Sequence, residues 1–147
     1  MSWTERAFTR AEAANMAGLH LTTMDVVIHR AKPLAALFSE RRKGRRWFSP
    51  KDIAVLRLGY ELERAGRNWL TAIAQSFEHL GQPPPPDAIL IVPVMSVACT
   101  SGRMLTGLSV PLTPSQSMAV FPIGKIVADI VAACQILKET SSVAVPS

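Results

Sequence analysis

The sequence predicts a chain that is mainly α-helical over residues 1–82 and α+β over residues 87–147, with a few short strands and a terminal helix. Three observations predict this. Apolar residues recur at helical spacing behind N-capping signals as far as Leu80. Prolines 83–86 then end any helix, because each ring fixes φ and withholds an N–H. Beyond them the β-branched run over residues 88–95 suits a short strand covered on both sides, with Pro93 pushing it toward an edge or a bulge. Charge divides at the same place: residues 1–82 hold 13 Lys/Arg against 8 Asp/Glu, and residues 83–147 hold 3 of each. The predicted organisation is a basic domain at 1–82, a polyproline II linker at 83–86 and a neutral domain at 87–147.

Each helix of the basic half has its own start signal. Thr9-x-x-Glu12 is a capping box, which starts a short helix at about residues 10–17. Gly18 supplies a turn with positive φ, Leu19 and Leu21 point inward, and Thr22 or Thr23 caps a second helix running to about Ala31. The pattern is helix, turn, helix, which any αα-hairpin also satisfies. Next, Arg41-Arg42-Lys43-Gly44-Arg45-Arg46-Trp47-Phe48 reads as a hairpin with Gly44 at its tip and both aromatics anchoring its base in the core. Five like charges in so short a loop repel one another, which a polyanionic partner would relieve by exchanging its counterions for them. Ser49-Pro50-x-Asp52 caps a third, largely buried helix carrying Ile53, Val55, Leu56, Leu58, Tyr60 and Leu62. Asn68 caps a fourth with Trp69, Ile73, Phe77 and Leu80 on one face.

Two of these segments resemble the winged helix-turn-helix DNA-binding domain of the MerR family, over residues 7–80. Ala14-Asn15-Met16-Ala17-Gly18-Leu19-His20-Leu21-Thr22-Thr23-Met24 resembles its helix-turn-helix. Gly44-Arg45-Arg46-Trp47-Phe48-Ser49-Pro50-Lys51-Asp52-Ile53-x-x-Leu56 resembles its more specific wing-to-helix signature. The resemblance implies that the second helix enters the major groove of double-stranded DNA and that the hairpin is a wing whose arginine, by position Arg46, holds backbone phosphate. The DNA-binding candidates are then Thr22, Thr23, His29 and Arg30 on the second helix, with Arg41, Arg42, Lys43, Arg45 and Arg46 on the wing. The family usually has arginines where this chain has Thr22 and Asp25, and aromatics where it has Val26 and Val27. Those departures shift the electrostatic work toward the wing, and Asp25 would repel phosphate.

In the neutral half a second strand is expected over residues 103–110, after a turn at Ser101-Gly102, and a third over residues 118–121. A helix follows over residues 124–139, interrupted on its apolar surface by Asp129 alone. About 60 residues struggle to close a core by themselves, so this half is expected to form a homodimer, with a ligand-sensing domain as the alternative. Cys99 and Cys134 form no disulfide framework and no Cys/His cluster has zinc-site spacing, so neither metal nor cofactor is expected. Cys99 reads as a loop thiol and Cys134 as a core thiol. His20, His29 and His79 are scattered and no catalytic motif occurs, so the expectation is a non-enzyme. Glu5, Arg6 and Arg10 stand where a signal peptide would be apolar, and the longest uncharged stretch contains Pro111, Pro114 and Pro122, so a cytoplasmic protein with no membrane segment is expected. Taken together these features imply a homodimeric transcriptional regulator. An excisionase-like architectural recombination factor is the alternative, and an interaction adaptor without DNA binding is a further one.

Overall fold

In a computed structural model the chain is described over residues 2–93, 103–106 and 117–143. Helix α1 (Arg10–Ala17) begins as its spacing predicts: the Thr9 hydroxyl accepts from the Glu12 N–H, and the Glu12 carboxylate accepts from the Thr9 N–H. Gly18, at φ +70°, ends it. Helix α2 (Leu21–Arg30) starts two or three residues before its predicted caps, at His20, which makes no side-chain capping bond. The reason lies in the turn. The Leu19 N–H bonds the Ala14 carbonyl and closes α1, so only His20 remains extended before the helix resumes. Leu19 packs on the core as expected, but Leu21, now the first helical residue, is 40% exposed. The inward stripe of α2 is Met24, Val27 and the following Ala31, all fully buried.

A 3-10 segment (Lys32–Leu37) that no spacing announced leads into the hairpin β1 (Glu40–Arg42) and β2 (Arg45–Trp47). Helix α3 (Pro50–Arg64) starts on the predicted box: Ser49 Oγ accepts from the Asp52 N–H at 3.0 Å, and Asp52 Oδ2 accepts from the Ser49 N–H at 2.8 Å. Asp52, buried by this arrangement, also takes the Arg6 guanidinium at 2.8 Å. Helix α4 (Trp69–His79) begins at Asn68, whose side chain accepts from the Thr71 N–H. It crosses α3 at Gly59, where an added Cβ would lie 2.5 Å from Ile73 Cδ1. Ile73 and Leu80 are buried, and Trp69 and Phe77 half-buried, on the predicted face.

The second half forms an antiparallel sheet in the order β4-β3-β5, from β3 (Ile89–Pro93), β4 (Arg103–Leu105) and β5 (Met118–Phe121), followed by α5 (Ile123–Val143). Strand β3 is central, not an edge: among the described residues β4 pairs with Ile89 to Ile91, and Pro93 opposes Met118 of β5. The expected Ser101-Gly102 turn, the Cys99 thiol and residues 107–110 of the second strand lie outside the described residues. Asp129 is exposed and pairs with Lys125 one turn away. The fold is thus mixed α and β with small antiparallel sheets.

The break in composition is not a break in the core. One buried cluster runs from Phe8 and Met16 through Val55 and Leu62 to Leu90, Ile123, Val127, Ile130 and Cys134. Helix α5 lies on α1 and α3, with the Cys134 sulfur 3.3 Å from the Met16 sulfur. The described buried side chains of the second half therefore pack against the first, while Val120 and Ile136 stay exposed. Nor do the prolines hang free. The Ala88 N–H bonds the Pro85 carbonyl, the Gly124 N–H bonds the Ala88 carbonyl, and a Cβ at Gly124 would collide with the Pro85 carbonyl and come within 2.6 Å of that of Pro86.

Gly124→Ala is accordingly expected to lower stability by about 1–3 kcal/mol, the cost of forcing a methyl into a closed contact, as read by urea unfolding. Cys134 gives a pH dependence. Burial pushes its thiol up to about 11 from an ordinary value of 9.0, so between those values the unfolded chain has lost a proton that the folded chain keeps. The thiol's contribution is complete below pH 9 and declines as pH rises toward 11. Urea stability of the wild type should fall more steeply across that window than that of Cys134→Ala; parallel curves would refute the assignment.

Candidate nucleic-acid interface

The hairpin owes its shape to two residues. Lys43 at φ +52° and Gly44 at φ +76° make a two-residue turn with both central φ angles positive, whose twist matches that of the flanking strands. The register pairs Glu40 with Trp47, Arg41 with Arg46 and Arg42 with Arg45. Side chains alternate along a strand, so Arg41 and Arg46 share one face while Glu40, Arg42, Arg45 and Trp47 share the other. The same alternation corrects the expected anchoring. Only one of two adjacent residues can face the core, and Phe48 takes that place, fully buried. Trp47 lies half-buried on the cationic face, its ring centroid 5.1 Å from the Arg42 guanidinium and 6.0 Å from that of Arg45.

Two arginine pairs thus stand directly across from each other, an arrangement that disfavours the hairpin. Among the described residues none of Arg41, Arg42, Lys43, Arg45 and Arg46 pairs with a carboxylate. Of the carboxylates nearby, Asp52 pairs with Arg6 and Asp25 with Arg10 at 2.6 Å, and Glu40, on the face of Arg42 and Arg45, makes no ion pair among the described residues. The hairpin arginines find neutral acceptors instead. Arg42 donates to the Arg6 carbonyl, and Arg46 donates to Ser39 Oγ at 2.7 Å, which in turn donates to the Ala35 carbonyl. Burial, and then the neighbouring charge of Arg41, hold the Arg46 pKa below the ordinary arginine value. These contacts fix the side chains and leave their charge uncompensated.

Beside the hairpin, α2 turns a polar stripe outward. Thr22, Val26 and His29 lie three and four residues apart and are exposed, with Arg30 at the margin. Thr23 is half-buried, off this stripe. Val27, at one of the positions where the resembled family carries aromatics, belongs to the core, whereas Val26 is 50% exposed. Between α2 and the hairpin runs a cleft of about 570 Å³ lined by Thr9, Arg10, Asp25, Ile28, Arg41 and Arg46. The structure therefore brings Thr22, His29 and Arg30 onto one helix face and sets Arg41 and Arg46 across a cleft from that helix. It places Arg42 on the far side of the hairpin and Lys43 at its tip, while Arg45, opposite Arg42 in register, borders the cleft as well. Arg10 was missed from sequence. It is the first residue of α1 and reaches Asp25 on α2, a pairing that no local spacing signals, and it neutralises the carboxylate expected to repel phosphate.

Among the described residues no group of three or more His, Cys, Asp and Glu side chains could hold a metal ion, and no helix is long and apolar enough to cross a membrane. Chemically the surface offers fixed cations and hydrogen-bond donors to an anionic ligand. Comparison with known protein families, curated proteins and solved structures finds no match.

Because Gly44 holds a left-handed conformation, Gly44→Ala is expected to cost about 1–2 kcal/mol and to distort the hairpin, although open space surrounds the position. Thermal unfolding measures the cost, and amide chemical shifts of Arg41 to Arg46 report the distortion.

Proposed function

We propose that the chain is a sequence-specific, double-stranded-DNA-binding transcriptional regulator in which α1, α2, the hairpin and α3 work as a MerR-like winged helix-turn-helix. Helix α2 enters the major groove, which is wide enough to admit a helix, and the β1-β2 hairpin is the wing on the phosphate backbone. The observation that carries this is the pair of opposed arginine couples, Arg41 with Arg46 and Arg42 with Arg45, in no ion pair with a carboxylate among the described residues and set beside an exposed helix face. A polyanion with a backbone on both sides of a groove supplies the missing charge. Thr22 and His29 are the side chains placed to reach base edges; Arg41 and Arg46 face the cleft where a phosphate strand would pass.

A second reading keeps the same DNA contacts in an excisionase-like architectural factor. It is favoured by one observation: α5 folds back on α1 and α3 instead of projecting as a dimerisation helix. Since the buried apolar side chains described in the second half, Leu90, Ile123, Val127, Ile130 and Cys134 among them, join the core of the first, we state the DNA reading for one chain on one half-site. The adaptor alternative rested on the departures in α2; Arg10 neutralises Asp25 and Val27 is a core residue, so two of those departures no longer oppose DNA binding.

Titration of random and promoter-derived duplexes at several salt concentrations tests the proposal. If four or more phosphates are neutralised, log affinity should fall against log salt with a slope of roughly −3 or steeper. Arg46→Ala should weaken binding to all sequences and make the slope shallower by about 1, whereas His29→Ala should change the preferred sequence. Binding independent of salt, or absent at low salt, would overturn the proposal, and binding confined to one attachment site with DNA bending would favour the architectural factor.

A further inference from the structure

Resting on the DNA-binding reading, we propose that Val26 is a specificity-determining residue that contacts the C5-methyl group of a pyrimidine in the major groove. Val26 sits at the centre of the outward stripe of α2, between Thr22 and His29, and is 50% exposed. The helix does not need it for packing, because Met24, Val27 and Ala31 are fully buried on the opposite face. Nor does the position favour it in water: a β-branched residue lowers helix propensity, and an exposed site gives no burial in return. Leu21, one turn earlier, adds a second exposed apolar side chain to the same helix.

The chemistry that would use such a residue is narrow. Base edges in the major groove present hydrogen-bond donors, acceptors and one apolar group, the pyrimidine C5-methyl. Valine can neither donate nor accept, so in that groove it has one favourable partner. Charge complementarity directs a duplex to this face, with Arg41 and Arg46 across the cleft in no ion pair and the cleft's Asp25 already paired with Arg10. Thr22 and His29, flanking Val26, remain able to hydrogen-bond the neighbouring bases. A protein partner seeking the same apolar side chain would meet the uncompensated arginines as well, which favours a nucleic acid. Thymine and 5-methylcytosine both carry the methyl and differ at position 4 of the ring.

The experiment uses the full chain and the tightest short duplex selected from a random pool. Each thymine is replaced in turn by uracil, and each cytosine in turn by 5-methylcytosine. Loss of the methyl should weaken wild-type binding about fourfold at one thymine, the worth of one buried apolar carbon. Val26→Ala should bind the thymine and uracil duplexes equally, with the salt slope unchanged, while Val26→Ile should keep the discrimination. A gain at one 5-methylcytosine that Val26→Ala abolishes supports the same contact with the modified base as its source. Salt-dependent binding that is indifferent to every methyl would overturn this inference and leave the DNA-binding reading intact. Absence of duplex binding at low salt would overturn both, and leave Val26 free for a protein partner.

Discussion

The tie on which the rest of the molecule depends is a two-residue antiparallel bridge between Phe8 and Phe48. The Phe48 N–H bonds the Phe8 carbonyl at 2.9 Å and the Phe8 N–H bonds the Phe48 carbonyl at 3.0 Å, with both rings buried. Each phenylalanine immediately precedes an N-cap, Thr9 of α1 and Ser49 of α3, the position from which an apolar residue fixes a helix's angle of entry. One bridge therefore sets the starts of both helices side by side. Because α2 hangs from α1 by the Gly18 turn and the hairpin runs directly into Phe48, the bridge also fixes how α2 and the hairpin face each other. The cleft between them is a consequence of this backbone contact and not of any contact made inside it.

Stability and charge are handled by different parts of this arrangement. The apolar cluster and the buried Asp52 with its Arg6 partner hold the scaffold, and the hairpin they anchor can then tolerate a local arrangement that would not form alone. Strands of three residues with two like-charged cross-strand pairs gain little from their own contacts. Their side chains are kept in place by the Trp47 ring and by oxygen acceptors that carry no charge. Local rules are broken at one place on a well-anchored frame, which is the pattern expected of a functional site.

Features decided within a few residues were legible in the sequence. Thr9 with Glu12, Ser49 with Asp52, and Asn68 are caps whose partners lie three residues away, and all three act as their spacing indicates. Gly44 likewise marks the hairpin tip, where Lys43 unexpectedly shares its left-handed conformation. What failed was decided at a distance. His20 displaced Thr22 and Thr23 as the start of α2 because Leu19 was already committed to closing α1. Trp47 went outward because Phe48 had the buried side of the strand. Arg10 reached Asp25 across a helix pair, and the neutral half found its partner in α1 and α3, over separations that periodicity does not encode. The segments that carry the candidate residues were legible; how those residues divide between the two faces of the hairpin and the outer face of α2 came only from register.

The contact of Cys134 with Met16 joins residues 118 positions apart, and it carries a consequence for the order in which the molecule can be made. Synthesis delivers α1 and α3 long before α5, so the apolar surface they share with it stays uncovered while the ribosome makes α4 and the three strands. Helices α1 to α4 can take shape locally in that interval, but their last wall arrives with residues 123–134, after the sheet has been made. Closure of the core is then a late event, for which the nascent basic half waits, partly open, until α5 has been made.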